Sequence, residues 1–294
     1  MSDAGSEART GVEGTSRGTE PISFHEQVPR RRFLRLAGAG AALVGLGGIA
    51  AKASTIPALS ATKHAEAAVE SAQPSDDDLA LHQWAMVFDL RRCDGCGRCT
   101  DACTEMHGLS EGQPWLKILE LEDAAGQSYY LPQPCMQCER PPCVSVCPVG
   151  ATFRAADGVT LVDQDRCIGC RMCMAACPYD ARTFTWNEPL PAAEGIDEPT
   201  SPEFPVPQQP GTAGKCVLCV HDVRDGRLPS CVLRCHRDAI YIGDLSADLA
   251  VNGKETVRLS ALLRDNDAFR LHEELGTRPR VFYIPGHGQL DQED

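Results

Sequence analysis

The apolar positions of this chain fall into short runs separated by long polar or proline-rich stretches. Leu36 to Ala51 is a mildly apolar run, rich in Gly and Ala, and shorter than the roughly 20 apolar residues that span a bilayer comfortably. Residues 54–83, mostly Ser, Ala, Glu and Asp, carry little apolar surface and read as a flexible tether. Trp84-Ala85-Met86-Val87-Phe88-Asp89-Leu90 then opens the folded part as a short strand. A hairpin is expected from Ala151 to Val162. The segment 188–214 holds Pro189, Pro191, Pro199, Pro202, Pro205, Pro207 and Pro210; proline lacks the N–H that a helix or interior strand needs, so an extended connector over the surface is expected. Further on, Leu259, Leu262, Leu263, Phe269, Leu271 and Leu275 recur at helical spacing, interrupted by Asp265-Asn266-Asp267, with Gly276 as the stop. Arg280-Val281-Phe282-Tyr283-Ile284 follows as a strand. Nothing after residue 53 is apolar for long enough to cross a membrane.

The pattern also repeats. Met86-Val87-Phe88-Asp89-Leu90-Arg91-Arg92-Cys93-Asp94-Gly95-Cys96 aligns with Thr160-Leu161-Val162-Asp163-Gln164-Asp165-Arg166-Cys167-Ile168-Gly169-Cys170: a strand, an Asp, an Arg, then a cysteine loop. A second echo follows Cys147, Cys177 and Cys235, each leading through a turn and an Ala into a strand: Ala151-Thr152-Phe153, Ala181-Arg182-Thr183-Phe184 and Ala239-Ile240-Tyr241. Repeats of this kind imply duplicated units.

Composition explains what the repeats are for. Among 294 residues only 5% are aromatic, while 16 are cysteines, so metal ligation must share the task of holding the fold. The cysteines form four sets of four with none left over: Cys93/Cys96/Cys99/Cys103, Cys135/Cys138/Cys143/Cys147, Cys167/Cys170/Cys173/Cys177 and Cys216/Cys219/Cys231/Cys235. The first and third have the spacing C-x2-C-x2-C-x3-C, and the second and third end in Cys-Pro, which is the bacterial ferredoxin pattern for [4Fe-4S] ligation. All sixteen are therefore candidate metal ligands, for four [4Fe-4S] clusters. A structural zinc site at the fourth set and a disulfide scaffold compete with this. Both are disfavoured, because three sets are spaced for cubanes and the fourth is needed to complete the pairing.

Pairing follows from geometry. The fourth cysteine of a set lies about one helical turn, or about 6 Å, beyond the third, so it points at a different cluster, and each set gives three ligands to one cluster and one to its partner. Sets two and three share the hairpin and pair as Cys135, Cys138, Cys143 with Cys177 (cluster C) and Cys167, Cys170, Cys173 with Cys147 (cluster D). Sets one and four then pair as Cys93, Cys96, Cys99 with Cys235 (cluster A) and Cys216, Cys219, Cys231 with Cys103 (cluster B). The expected fold is α+β: two interleaved two-cluster ferredoxin-like units of short strands and helices with extended loops. The first unit takes residues 84–134 and 212–294, the second is inserted as 135–187, and 188–211 is the connector. His236 stands where proline follows Cys147 and Cys177; it reads as a turn ending, with a hydrogen bond to its cluster as the alternative. His82, His107, His221 and His272 show no ligand pattern, and no catalytic acid–base motif is recognisable.

The start of the chain concerns location. Arg30-Arg31-Arg32-Phe33-Leu34-Arg35 matches the twin-arginine export pattern, and Ala51-Lys52-Ala53 closes the apolar run with a small-x-small cleavage signature. Residues 1–53 read as a signal peptide, cleaved after Ala53 or retained as an anchor. The route suits a chain that must take up oxygen-sensitive clusters in a reducing compartment and cross the membrane folded. A formal net charge of -13 argues against a nucleic-acid partner, since phosphate binding needs a basic surface.

Pro134-Cys135-Met136-Gln137-Cys138-Glu139-Arg140-Pro141-Pro142-Cys143 and Asp165-Arg166-Cys167-Ile168-Gly169-Cys170-Arg171-Met172-Cys173 resemble the four-cluster electron-transfer subunits of the dimethyl sulfoxide reductase superfamily, including polysulfide reductase, NrfC-type and DsrO-type subunits. The resemblance covers residues 84 to about 245 and implies the same pairing of sets. It also implies single-electron relay between an NrfD-type, quinone-reactive membrane subunit and a molybdopterin catalytic subunit or multihaem cytochrome. Work at the periplasmic side, with attachment to the membrane through a partner, would follow. A cluster enzyme with its own substrate site and a zinc-stabilised binding module are the competing classes.

Overall fold

The computed structural model describes residues 75–110, 112–187 and 200–288. The twin-arginine block, the apolar run and most of the expected tether lie outside these residues. In chain order the elements are α1 (Asp76–Ala80), β1 (Trp84–Asp89), α2 (Arg98–His107), β2 (Lys117–Glu122), β3 (Ser128–Gln133), α3 (Pro142–Ser145), β4 (Thr152–Arg154), β5 (Thr160–Val162), α4 (Met172–Ala175), β6 (Thr183–Phe184), β7 (Ala213–Gly214), α5 (Val220–Val223), α6 (Ser230–Leu233), β8 (Ile240–Asp244), β9 (Leu249–Val251), β10 (Thr256–Val257), α7 (Leu259–Asp265), a 3-10 turn (Glu273–Leu275) and β11 (Val281–Ile284). The fold is α+β with short elements throughout.

The run that opens the folded part is buried at every position, as expected of a strand covered on both faces. β1 lies inside a five-stranded sheet of order β10-β9-β8-β1-β11, antiparallel to β8 and parallel to β11. Its Met86 and Phe88 face a core that contains Cys99, Cys103, Cys135, Cys138 and Cys231. Its Ala85 and Val87 pack on the other side with Tyr241, Ala250 and Leu259 of α7. The cysteines are thus part of the main apolar core.

Small antiparallel ladders hold the rest: β2 with β3, β4 with β5, and β6 with β7. The helices that carry cysteines are α2, α3, α4 and α6, and in each the third and fourth cysteines of a set bracket a single turn. The aligned aspartates shape the entries to the loops. Asp89 Oδ1 accepts the Arg91 amide at 3.1 Å and Asp163 Oδ1 accepts the Arg166 amide at 3.2 Å, so each carboxylate turns the chain from a strand towards its first cysteine. The segment before β11 clamps the second cysteine loop, with Glu139 and Arg140 amides on the Arg278 and Thr277 carbonyls and the Arg280 amide on Met136 O at 2.9 Å.

Three expectations need correction. The tether over 54–83 does not extend to residue 83: Ser75 and Asp78 form a reciprocal cap that starts α1, Leu79 is buried, and His82 and the Gln83 amide bind Asp244 at 2.7 and 2.9 Å. The connector is not a surface strap over its described part. Val206 and Gln208 are buried, and Gln164 holds Gln208 and the Gln209 amide at 2.7 and 2.9 Å. Finally, the helix expected over 259–275 stops at Asp265. Asn266 Nδ2 takes the Leu262 carbonyl at 2.9 Å, and Phe269 leaves to exchange backbone hydrogen bonds with Tyr283 at 2.9 and 2.8 Å, an extended pairing incompatible with helical dihedrals.

Candidate metal centres

Three small cavities are each lined by four cysteines drawn from two sets. Cys93, Cys96, Cys99 and Cys235 line one, with Phe88, Ile118 and Ile240. Cys135, Cys138, Cys143 and Cys177 line another, with Met136, Tyr179 and Arg182. Cys147, Cys167, Cys170 and Cys173 line a third, with Val149, Ile168 and Ala213. The remaining four form a fourth group. Cys103 and Cys231 are buried, and each lies within electrostatic reach of Cys216 and Cys219.

The electrostatics of the thiols describe what such a site requires. Burial pushes Cys93 up to about 11 and Cys99 up to about 12, and Cys235 adds to both. Burial and then Cys135 push Cys138 up to about 12; burial and then Cys216 do the same for Cys219. Crowded, dry thiols resist ionisation by themselves. A metal cluster reverses this balance, because coordination deprotonates a thiol outright. All sixteen are free thiols, and sulfur is the donor in every group, which suits iron–sulfur ligation. The residues fit four such clusters.

Peptide N–H groups assist. Cys147 is the exception among the shifted thiols: burial works against its charge, but the amides of Thr152, Val149, Ala151 and Gly150 outweigh it and bring its pKa below the ordinary thiol value. The Thr152 amide reaches Cys147 Sγ at 3.4 Å and the Ala239 amide reaches Cys235 Sγ at 3.3 Å. The two donors sit one residue apart in the repeat, since Ala239 matches Ala151 and Thr152 follows it; donors of this kind stabilise a thiolate and a reduced cluster. The Gly95 amide plays the same part for Cys93.

The groups stand in a row. Cys99 of the first group acts on Cys103 and Cys231 of its neighbour. Cys135 acts on Cys216, and Cys143 acts on Cys173. Cys96 and Cys170, in the two outermost groups of this sequence of electrostatic neighbours, are exposed.

Several polar residues at the sulfurs carry no signal in the spacing of the chain. His107 is fully buried, lies against Trp115 with the two rings tilted, and sets Nε2 3.5 Å from Cys219 Sγ; burial lowers its pKa to about 3, keeping the ring neutral. Lys215 is buried with Nζ on the Thr160 and Cys216 carbonyls. Arg182 is buried beside Cys143. His236 does more than end a turn: Nδ1 lies 3.7 Å from Cys96 Sγ while Nε2 pairs with Asp94 at 3.1 Å. The only hint was its replacement of proline in the echo.

Comparison with known proteins points to the same kind of cofactor. Residues 86–151 and 127–192 each match a 4Fe-4S dicluster domain. The chain is 36% identical to a selenate reductase subunit of Mesobacillus selenatarsenatis, across 87% of this chain and 96% of that one. With the iron-sulfur cluster-binding subunit of menaquinone reductase from Nitratidesulfovibrio vulgaris it shares 39% identity, across 69% and 88%. It is 32% identical to an iron-sulfur subunit of the Hdr-like menaquinol oxidoreductase of Archaeoglobus fulgidus, across 88% and 99%. With four sulfur groups in a row and relatives of this kind over most of its length, the chain belongs to the family of iron-sulfur electron-transfer subunits of respiratory reductases and carries four 4Fe-4S clusters.

Proposed function

We propose that electrons pass singly along the row A–B–C–D, with ligands Cys93, Cys96, Cys99 and Cys235 for A; Cys216, Cys219, Cys231 and Cys103 for B; Cys135, Cys138, Cys143 and Cys177 for C; and Cys167, Cys170, Cys173 and Cys147 for D. The observation that carries this is the lining of three cavities by four sulfurs each, always three from one set and one from another. Residues 84–134 with 212–294 then make one two-cluster unit around the inserted 135–187. Each cluster supplies a one-electron couple when bound; the chain supplies thiolates, peptide donors and a dry interior that set its potential.

The exposed sulfurs at A and D mark the two ends where partners would exchange electrons. One relative is named as a menaquinone reductase subunit, which supports a quinone-linked partner, of NrfD type on our reading, with a molybdopterin subunit or multihaem cytochrome at the other end. No helix among the described residues is long and apolar enough to cross a membrane, in keeping with attachment through a partner. The twin-arginine block supports work outside the cytoplasmic membrane, at its periplasmic side.

Iron analysis of anaerobically prepared protein tests the reading. About sixteen iron atoms per chain are expected, with dyes reduced or oxidised by the isolated chain and no substrate converted. Near-zero iron with stoichiometric zinc refutes it. Cys235→Ala should remove the signal of cluster A while D keeps its own, and loss of D in its place would overturn the assignment.

A further inference from the structure

Arg182 follows the third cysteine set in the chain and lines the cavity of Cys135, Cys138, Cys143 and Cys177, while its partner Thr152 lines that of Cys147, Cys167, Cys170 and Cys173. Its side chain is 3% exposed, and the thiols of both Cys143 and Cys173 act on it. Nη1 donates to Thr152 Oγ1 at 3.2 Å. Nη2 is buried and meets no oxygen acceptor; the Cys143 and Cys173 thiols are the guanidinium's other partners. Among the described residues no carboxylate pairs with it. Lys215, the other buried cation here, is satisfied by two carbonyl oxygens; Arg182 is not.

A guanidinium held in a dry interior without a counter-ion is strongly disfavoured. Its geometry makes sense if the counter-charge is the pair of anionic clusters on either side. We propose that Arg182 is a positioning charge shared by clusters C and D, which offsets the negative charge each gains on reduction and raises both potentials together. This deepens the function proposed above and rests on its ligand assignment. In each transfer one electron leaves one cluster and enters the other. No bond forms or breaks, and the guanidinium exchanges no proton. Because one cation serves both sites, the step between them stays shallow in either direction.

The test uses the full chain, prepared anaerobically, with Arg182→Gln and Arg182→Lys compared by redox titration followed by electron paramagnetic resonance, alongside iron content. Arg182→Gln with full iron should lower the reduced-to-oxidised ratio of C and D at least tenfold at fixed potential, a shift of about 59 mV for one electron, while A and B stay put. Arg182→Lys should hold both midpoints near the parent values. Full iron in Arg182→Gln with unmoved midpoints, or an equal shift of all four clusters, overturns the proposal. If Arg182→Gln loses iron, Arg182→Lys decides: recovery of iron and of both midpoints supports a charge role, and iron loss or lowered midpoints in Arg182→Lys overturns it. Iron-free parent protein would instead sink the cluster assignment itself.

Discussion

Gly95 and Gly169 occupy the same place in two cysteine loops, with φ of +72° and +67°, a region that side chains other than glycine's rarely adopt. Space is as restrictive as dihedral. A Cβ on Gly95 would run into the Tyr130 ring, and one on Gly169 into the backbone carbonyl of Gly211. The first clash is with a side chain; the second is with backbone, in a segment anchored through Gln164. Gly169→Ala should therefore open the loop that carries Cys167 and Cys170 and cost about four iron atoms per chain, which iron analysis with cluster-resolved spectra would detect. Retention of all the iron would show that the loop yields more easily than its packing indicates. His107 makes a different kind of single-residue contribution, since it brings a neutral, buried ring to Cys219.

At the scale of elements, α7 depends on a cap from elsewhere. Its N-cap, Arg258, makes no side-chain cap bond. Asp248, in the turn before β9, accepts the Ser260 amide at 2.7 Å, the Ser260 hydroxyl at 2.9 Å and Arg258 Nε at 3.1 Å. Burial opposes its charge, yet these partners outweigh it and hold its pKa below the ordinary carboxylate value. A depressed acid stabilises the fold above its unfolded pKa of about 3.9 and loses that contribution as pH falls through the folded value. Asp248→Ala should cost about 1 kcal/mol in denaturant unfolding near neutral pH, as loss of a cap does, and the gap between variant and parent should close in strong acid. A gap that persists there would assign the effect to packing. What the sequence reveals of the fold divides along the same lines. β1, the 151–162 hairpin and β11 are legible because alternation, turns and continuous apolar runs are local properties. α1 escapes any periodicity, having five residues and one buried Leu, though the Ser75-x-x-Asp78 cap is written in the chain. The break after Asp265 is set by Phe269 pairing with Tyr283, a tertiary preference that outweighs helical spacing. The cofactor is legible because cubane ligands cluster in sequence. His107 is not, because 112 residues separate it from Cys219, and Arg182 hides in a stretch that reads only as the entry to a strand.

For the whole molecule, the row has two wet ends and a dry middle. Cys96 and Cys170 are exposed, whereas Cys103, Cys231, Cys135 and Cys143 are buried. Oxygen should consequently attack from the ends: in air, signals of the clusters nearest Cys96 and Cys170 should decay before those of the inner pair, as a time course of cluster-resolved spectra would show, and simultaneous loss of all four would indicate that access runs through global opening. The sheet adds a temporal constraint. β1 finds one neighbour in β8 and the other in β11, and the cavity beside it takes its fourth sulfur from Cys235. On the ribosome, the first strand thus waits for the last. The central cysteine sets can meet while translation continues, but the outer ones have no complete partner until Cys235 and β11 have emerged, so a nascent chain cut short before them would be born as a half-loaded protein that proteases recognise.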